Sequence, residues 1–356
     1  MHGPREVYDY YIIGGGPAGV ALAHYLTKNG FRVKLFEGRK AVGEKPCGGG
    51  VPPQIQEYLP VPKEAVLNVA KSMKVSYEFE ELGVWDPGKT LFYMVDRRAY
   101  LNEYLSEFDY ELDKFVKVSM NGATIDGEHI DKEKVIIAIG ALWRMKERDM
   151  VANTIQYVIE THRVEDPHQL EFIFFRDLIG YAWIFPLGEK LVKVGIGGLN
   201  KSVRELEEML TLVIEKRNLK GKVLKRDGAP IDMGGLKVDW ASEPPYPVGE
   251  AIGAVMPLTG EGIRPSIMTA KALSEALSNG KYKYADLLKR LPIFKASKQQ
   301  RKILREIWKR GTVPNPGELS EKSISLLYKF GLGEAKLRDF LSVIPSSLSM
   351  IKLLFK

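Results

Sequence analysis

One cysteine, Cys47, is all the thiol chemistry available to 356 residues. No disulfide can close within the chain, and the expected compartment is a reducing one. No apolar run approaches the ~20 residues needed to span a bilayer. The first residues carry no apolar signal region, so the expectation is a cytoplasmic protein, soluble or peripheral on the inner face of the membrane. Arginine-rich arms, zinc-ligand spacings and RNP-like aromatic boxes are missing, which leaves nucleic acid without a reader and metal without ligands. There is no tandem repeat and no low-complexity tract. What is present is a folding composition, 45% hydrophobic and 27% charged, sufficient for a large core in two or three lobes. The net charge of +7 suits an anionic partner such as a phospholipid surface or a phosphorylated substrate.

The first forty residues have a βαβ pattern. "YDYYII" over Tyr8–Ile13 is a buried strand, "GGGPAG" follows, an amphipathic helix runs to about Asn29, and "FRVKLFE" makes a second strand. Gly14, Gly16 and Gly19 supply GxGxxG: the first permits the tight turn, the second lets a pyrophosphate approach the backbone, and the third lets helix and strand pack closely. Pro17 and Ala18 open the helix, whose N-terminal N–H groups face the phosphates. Glu37 ends the second strand, where an acidic side chain accepts hydrogen bonds from an adenosine ribose, and Gly38 follows it. The pattern predicts dinucleotide binding without separating FAD from NAD.

A second glycine-rich turn does separate them. In "PLTGEGI", Gly260 and Gly262 flank Glu261, and Ile263 begins a helix to about Ser278. Two anion-binding turns, one near each end of the fold, suit FAD. Between them, "GYAWIFPLGEKLVKVG" places Tyr181, Trp183 and Phe185 at alternate positions, on one face of a strand that Pro186 closes. The residues alone leave two readings open, sheet core or the wall of a pocket for something long and apolar.

"GGGPAG", "GEKPCGGG", "MVDRRAYLNEYL", "YAWIFP" and "PLTGEGI" occur in an order that resembles the geranylgeranyl reductase family, over about residues 5–280. That family belongs to the FAD-dependent group sharing the fold of p-hydroxybenzoate hydroxylase. Its members use reduced FAD to saturate isolated double bonds in polyprenyl chains. The resemblance implies an α/β fold, with a Rossmann-type FAD-binding domain, a discontinuous antiparallel-sheet substrate domain and a small C-terminal helical region. It implies that Gly14, Gly16, Gly19 and Glu37 hold the adenosine half, that Arg97 lies near the phosphates, and that Glu250 stands where the family usually has Asp beside the ribityl chain or pyrophosphate. Gly260, Glu261, Gly262 and Ile263 would lie under the isoalloxazine. Cys47, Gly48 and Gly49 match the family's turn beside the flavin, with Cys47 and Gly48 at the reacting centre. Tyr181, Trp183, Phe185 and Pro186 would wall a prenyl channel.

Two departures stand out. After the middle strand "KVIIAIG" the group usually has Asp-Gly, whereas Ile139-Gly140 stands here, so Gly140 is carried over without the acid. The stretch between about Ser106 and Gly140 is also condensed. The expected division is an FAD-binding part over 1–70, 95–150 and 245–280, a substrate part over 71–94 and 151–244, and a helical region over 281–356. The expected substrate is a geranylgeranyl ether-lipid precursor of the archaeal type. NAD(P)H and a ferredoxin-like donor remain open as electron sources, and the basic helical C-terminus suggests contact with a membrane surface. The rival readings are a flavin monooxygenase of the same fold and a flavin-binding electron-relay protein without prenyl reductase activity.

Overall fold

The computed structural model describes residues 8–336 together with Arg338 and Asp339. The segment "SLSMIKLLFK", the last part of the expected membrane-contacting C-terminus, lies outside the described residues.

Strands Tyr10–Ile13 and Val33–Phe36 pair in parallel around helix Pro17–Lys28. Their sheet has five strands, in the order Tyr246–Pro247, Val135–Ile137, Tyr10–Ile13, Val33–Phe36 and Asp109–Glu111. All four pairings are parallel. Such a sheet has to be covered on both faces, which is why its central strands Tyr10–Ile13 and Val135–Ile137 carry apolar or aromatic residues only, whereas the edge strand Asp109–Glu111 is polar and largely exposed. Ile12, Leu35 and Ile136 pack under helices Pro17–Lys28 and Ile263–Asn279. Ile13, Phe36, Val135 and Ile137 pack under the antiparallel meander of Lys117–Ser119, Gly122–Ile125 and Glu128–Asp131. The chain leaves Tyr10–Ile13 toward one neighbour and returns on the other side later, so the crevice at its C-terminal end is the switch point where nucleotides bind in such sheets.

The larger sheet runs Gly221–Asp227, Val151–Thr161, Leu191–Gly198, Gly180–Pro186, Gln169–Phe174, Ser72–Tyr77 and Glu80–Trp85, with Ile231–Asp232 paired to the start of Val151–Thr161. The expected antiparallel character holds at every pairing but one: Gln169–Phe174 runs parallel to Ser72–Tyr77. Those strands lie far apart in the chain, so no hairpin fixes their direction. Helix Val203–Lys216, started by a Ser202–Glu205 capping box, lays Leu206, Leu210 and Val213 on Val192, Val194, Ile196, Ala182 and Ile184. Because side chains alternate, Tyr181, Trp183 and Phe185 must face the other way, toward Thr259 and Gly48. A three-stranded sheet of Gly50–Val51, Phe92–Val95 and Val66–Ala70 joins the two parts. The C-terminal segment touches both: Ile293 of helix Pro292–Arg310 packs with Met256 and Met268, whereas Leu319 and Ile324, before and within helix Glu321–Gly331, pack on the Ser72–Trp85 hairpin.

A buried charge cluster ties the sheets together. Arg148 and Asp232 form an ion pair with neither side chain exposed, and Lys237 Nζ donates to Asp232 Oδ2 at 2.6 Å. Arg148 Nη2 also donates to the carbonyls of Trp143 and Ala251 at 2.9 and 2.8 Å. Asp232→Ala would leave two enclosed cations facing no carboxylate. The expected cost is about 3–5 kcal/mol, read as a lowered unfolding midpoint in a denaturant titration. An unchanged midpoint would contradict the structural role of the pair.

Candidate functional site

At the crevice, Gly14 adopts φ +116°, and a methyl group there would sit 2.4 Å from the Ala138 carbonyl oxygen. Only glycine fits this turn. A methyl on Gly19 would lie 1.9 Å from Gly14 O, so the third glycine serves helix–strand packing. Gly16 differs: a methyl there would meet no protein atom within 4 Å. The free space beside Gly16 and the N–H groups of Ala18 and Gly19, which have no acceptor among the described residues, form a cradle open to a ligand phosphate. Pro17 occupies the first helical turn, where its missing N–H costs nothing. Glu37 Oε2 accepts from Gly15 N at 2.6 Å and Oε1 from Arg39 N at 2.9 Å. The carboxylate is thus fixed at the strand end, beside the exposed Gly38, with lone pairs remaining for a ribose.

Arg97 lies beneath the loop that carries Cys47. Its Nη2 donates to Gly43 O at 2.8 Å and also to Lys45 O. Its present partners are backbone carbonyls, and through them it holds the 43–50 loop against the helix that Asp96 caps. Glu250 answers part of the question raised by Ile139. Ile139 packs against the apolar cluster under the meander, whereas Glu250 Oε2 would lie 3.1 Å from a methyl on Gly140. A carboxylate therefore reaches the Ile139–Gly140 corner from another element. Glu250 is paired there with Lys45, and its Oε1 accepts from Asp232 N at 3.1 Å.

The second glycine turn offers backbone and keeps its acid to itself. Glu261 is 8% exposed and receives Arg264 Nε at 2.8 Å and Nη2 at 3.0 Å. Burial pushes its carboxyl up, against the opposing pull of Arg264. The Glu261 side chain is turned into the protein, and the contribution of this segment to a ligand is limited to N–H groups. Those of Gly262 and Ile263, at the start of helix Ile263–Asn279, have no acceptor among the described residues. Arg264 stands in the first turn of helix Ile263–Asn279, and Glu261 lies just before its cap residue Gly262, so the acid reaches the arginine from outside the helix.

The aromatic row forms the opposite side. Tyr181, Trp183 and Phe185 lie against one another and against Phe172, with ring centroids 5.5–6.3 Å apart. Tyr181 donates its hydroxyl to Thr259 O, tying the row to the second glycine turn, and burial pushes its phenol up. Trp183 lies across Gly195 on the neighbouring strand; a methyl there would be 2.2 Å from the indole. Gly48 is pressed on Phe185, with a hypothetical methyl 2.9 Å from the ring. The glycines beside Cys47 thus allow the loop to lie flat on the aromatic wall. Pro186 ends the strand opposite Val192. The structure brings Gly48, Gly49, Cys47 and the aromatic row together. Gly14–Gly19 and Glu37 form a separate cradle at the switch point.

Lys193 was not visible to pattern reading. It stands opposite Phe185 on the same face, and its Nζ donates to Cys47 O at 3.0 Å and Gly48 O at 3.2 Å. The alternation Lys193, Gly195, Gly197 beside the aromatic strand is the only sequence hint. It says which face Lys193 shares and nothing of its partners.

Residues 8–171 match the family model described as pyridine nucleotide-disulphide oxidoreductase, and residues 150–230 match that of the geranylgeranyl reductase catalytic domain. The chain is similar to the digeranylgeranylglycerophospholipid reductase of Methanocaldococcus jannaschii, with 28% identity over 296 residues, 73% of this chain and 74% of that one. It is 27% identical over 287 residues to the geranylgeranyl diphosphate reductase of Rhodobacter capsulatus, 72% and 71% of the two chains. Among solved structures, a geranylgeranyl bacteriochlorophyll reductase-like protein of Thermoplasma acidophilum superposes with a TM-score of 0.77 at 21% identity, covering 98% of both chains. That likeness establishes the fold.

Proposed function

The chain belongs to the geranylgeranyl reductase family of flavin-dependent oxidoreductases, and from that premise we propose that it binds FAD and saturates C=C bonds of geranylgeranyl or longer polyprenyl chains. The substrate class that best suits it is a geranylgeranyl ether lipid. The observation that carries this reading is the continuous aromatic wall of Tyr181, Trp183 and Phe185 closing on the Cys47–Gly49 loop. An isolated alkene has no group to hydrogen-bond, so apolar shape has to hold it. Rigid rings do this at small entropic cost.

The residues present fit FAD. The Gly14–Gly19 cradle and Glu37 would take the pyrophosphate and ribose, and the N–H groups of Gly262 and Ile263 would face the far end of the cofactor. Glu250 and Lys45 would line the middle, where Ile139 replaces an acid. When bound and reduced, FAD supplies the hydride for alkene saturation. The protein's part is to orient the prenyl chain against the wall, to exclude water from it, and to hold the Cys47 loop in place through Arg97. Among the described residues no helix is long and apolar enough to cross a membrane, and a lipid substrate would be met at a membrane surface.

The reading is tested by anaerobic stopped-flow spectroscopy on chemically reduced protein. A geranylgeranyl glycerolipid should reoxidise the flavin, and its fully saturated counterpart should not. Equal rates with the two lipids, or none with either, would reject the function. Acid extraction of the yellow protein should release FAD and no FMN.

A further inference from the structure

Saturating one double bond consumes a proton as well as a hydride. The groups around the aromatic wall differ sharply in their fitness to give one. The Tyr181 proton is committed to Thr259 O, and burial makes the phenol a still weaker acid. Glu261 is locked into Arg264. Cys47 is half-buried and free. Among the described residues Lys193 is the one cation placed on the wall itself, directly opposite Phe185. Two of its N–H groups are held by the Cys47 and Gly48 carbonyls, and the third has no acceptor among the described residues. Trp183 Nε1, buried and likewise without a partner, lies 4.0 Å from the methyl position on Gly48. Two donors without acceptors thus border the same glycine loop.

We propose that Lys193 is the proton-donating residue of alkene reduction, held at the chamber wall by the carbonyls of Cys47 and Gly48. The proposal rests on the prenyl-reductase reading. In the step, the C=C π bond breaks and two C–H bonds form. One takes the hydride supplied by the reduced flavin, and the other takes a proton from Lys193 Nζ. The alkene is reduced, the flavin is oxidised, and Lys193 is left as a neutral amine that solvent reprotonates. Its surroundings favour the transfer. Burial pushes the ammonium down, Cys47 and Asp227 oppose that, and Arg97 and Lys225 add to it. An ammonium weakened in this way gives up its proton more readily than a surface lysine.

The test compares Lys193→Met, Lys193→Arg and Cys47→Ala with the parent, each prereduced under anaerobic conditions. In Lys193→Met, reoxidation by a geranylgeranyl lipid should fall by about 100-fold or more. Reoxidation by ferricyanide, which needs no proton transfer to carbon, should stay at the parent rate, as should flavin content. Lys193→Arg should not rescue the lipid reaction, because guanidinium does not give up its proton in this range. In flavin-free protein, 13Cε-lysine NMR should show two resonances titrating below the ordinary lysine range, those of the buried Lys193 and Lys237, and the one that disappears in Lys193→Met is that of Lys193. Near-parent lipid rates in Lys193→Met, a large loss only in Cys47→Ala, equal losses with lipid and ferricyanide, or rescue by Arg would each overturn the proposal. Failure of the parent protein to react with any prenyl lipid would instead sink the functional reading and the proton donor with it.

Discussion

Gly16→Val should give a folded, colourless protein. A Cβ at Gly16 meets no protein atom within 4 Å, so the backbone there has room for a substituent. That same room lies before the N–H groups of Ala18 and Gly19, where a pyrophosphate has to approach the backbone. The valine side chain would extend from that open position into the cradle. Flavin affinity is expected to fall by at least ~100-fold, equivalent to about 2.7 kcal/mol, while the melting temperature of flavin-free protein stays near that of the parent. Gly14→Ala is the contrasting case. Its φ of +116° and a methyl 2.4 Å from Ala138 O force the backbone apart, so stability and flavin should be lost together. Isothermal titration of the flavin-free variants with FAD, beside thermal melts, separates the two. Retention of stoichiometric flavin by Gly16→Val would place the phosphates elsewhere.

Trp183→Ala should impair both the proposed prenyl-binding wall and the fold, by amounts that can be read apart. The indole is packed between Tyr181 and Phe185, lies over Gly195, and is 9% exposed. Removing a buried ring of this size costs about 3–5 kcal/mol. Flavin content should hold, since the side chain lies on the wall and contributes nothing to the Gly14–Gly19 cradle. At a temperature well below the lowered melting point, single-turnover reoxidation by a geranylgeranyl lipid should fall well over tenfold. A displacement of about 1 Å at a reacting centre is worth ~100-fold. A large melting shift with parent-like reoxidation in the cold would return Trp183 to the status of sheet core.

The parts of the site legible in the sequence were those built from consecutive residues. Gly14, Gly16, Gly19 and Glu37 mark a tight strand–helix turn because turn, helix start and strand end fall within thirty residues, and backbone sterics leave few alternatives. The alternation of Tyr181, Trp183 and Phe185 fixed their shared face for the same local reason. What stayed hidden depends on distant partners. Lys193 acquires meaning only from the carbonyls of Cys47 and Gly48, some 145 residues earlier in the chain. Asp232 finds Arg148 across 84 residues, and Glu250 reaches the corner at Gly140 from another element. Glu261 shows the limit of a motif. Its position in "PLTGEGI" suggests a ligand contact, yet burial beside Arg264 turns the side chain inward. The parallel run of Gln169–Phe174 beside Ser72–Tyr77 was hidden for a topological reason, since strands far apart in sequence carry no turn to set their direction.

The central claim, that a prenyl chain held against the aromatic wall is reduced by the flavin of this protein, is tested most directly by mass spectrometry of the lipid itself. Chemically reduced protein is incubated anaerobically with a geranylgeranyl glycerolipid in excess over flavin, without any other electron source. The account predicts lipid heavier by two hydrogens per event, in an amount equal to the flavin reoxidised, and further two-hydrogen steps once reductant is replenished. Lipid of unchanged mass beside flavin that stays reduced would contradict it. Product carrying an added oxygen, formed only when air is admitted, would contradict it equally and would assign the fold to oxygen chemistry instead.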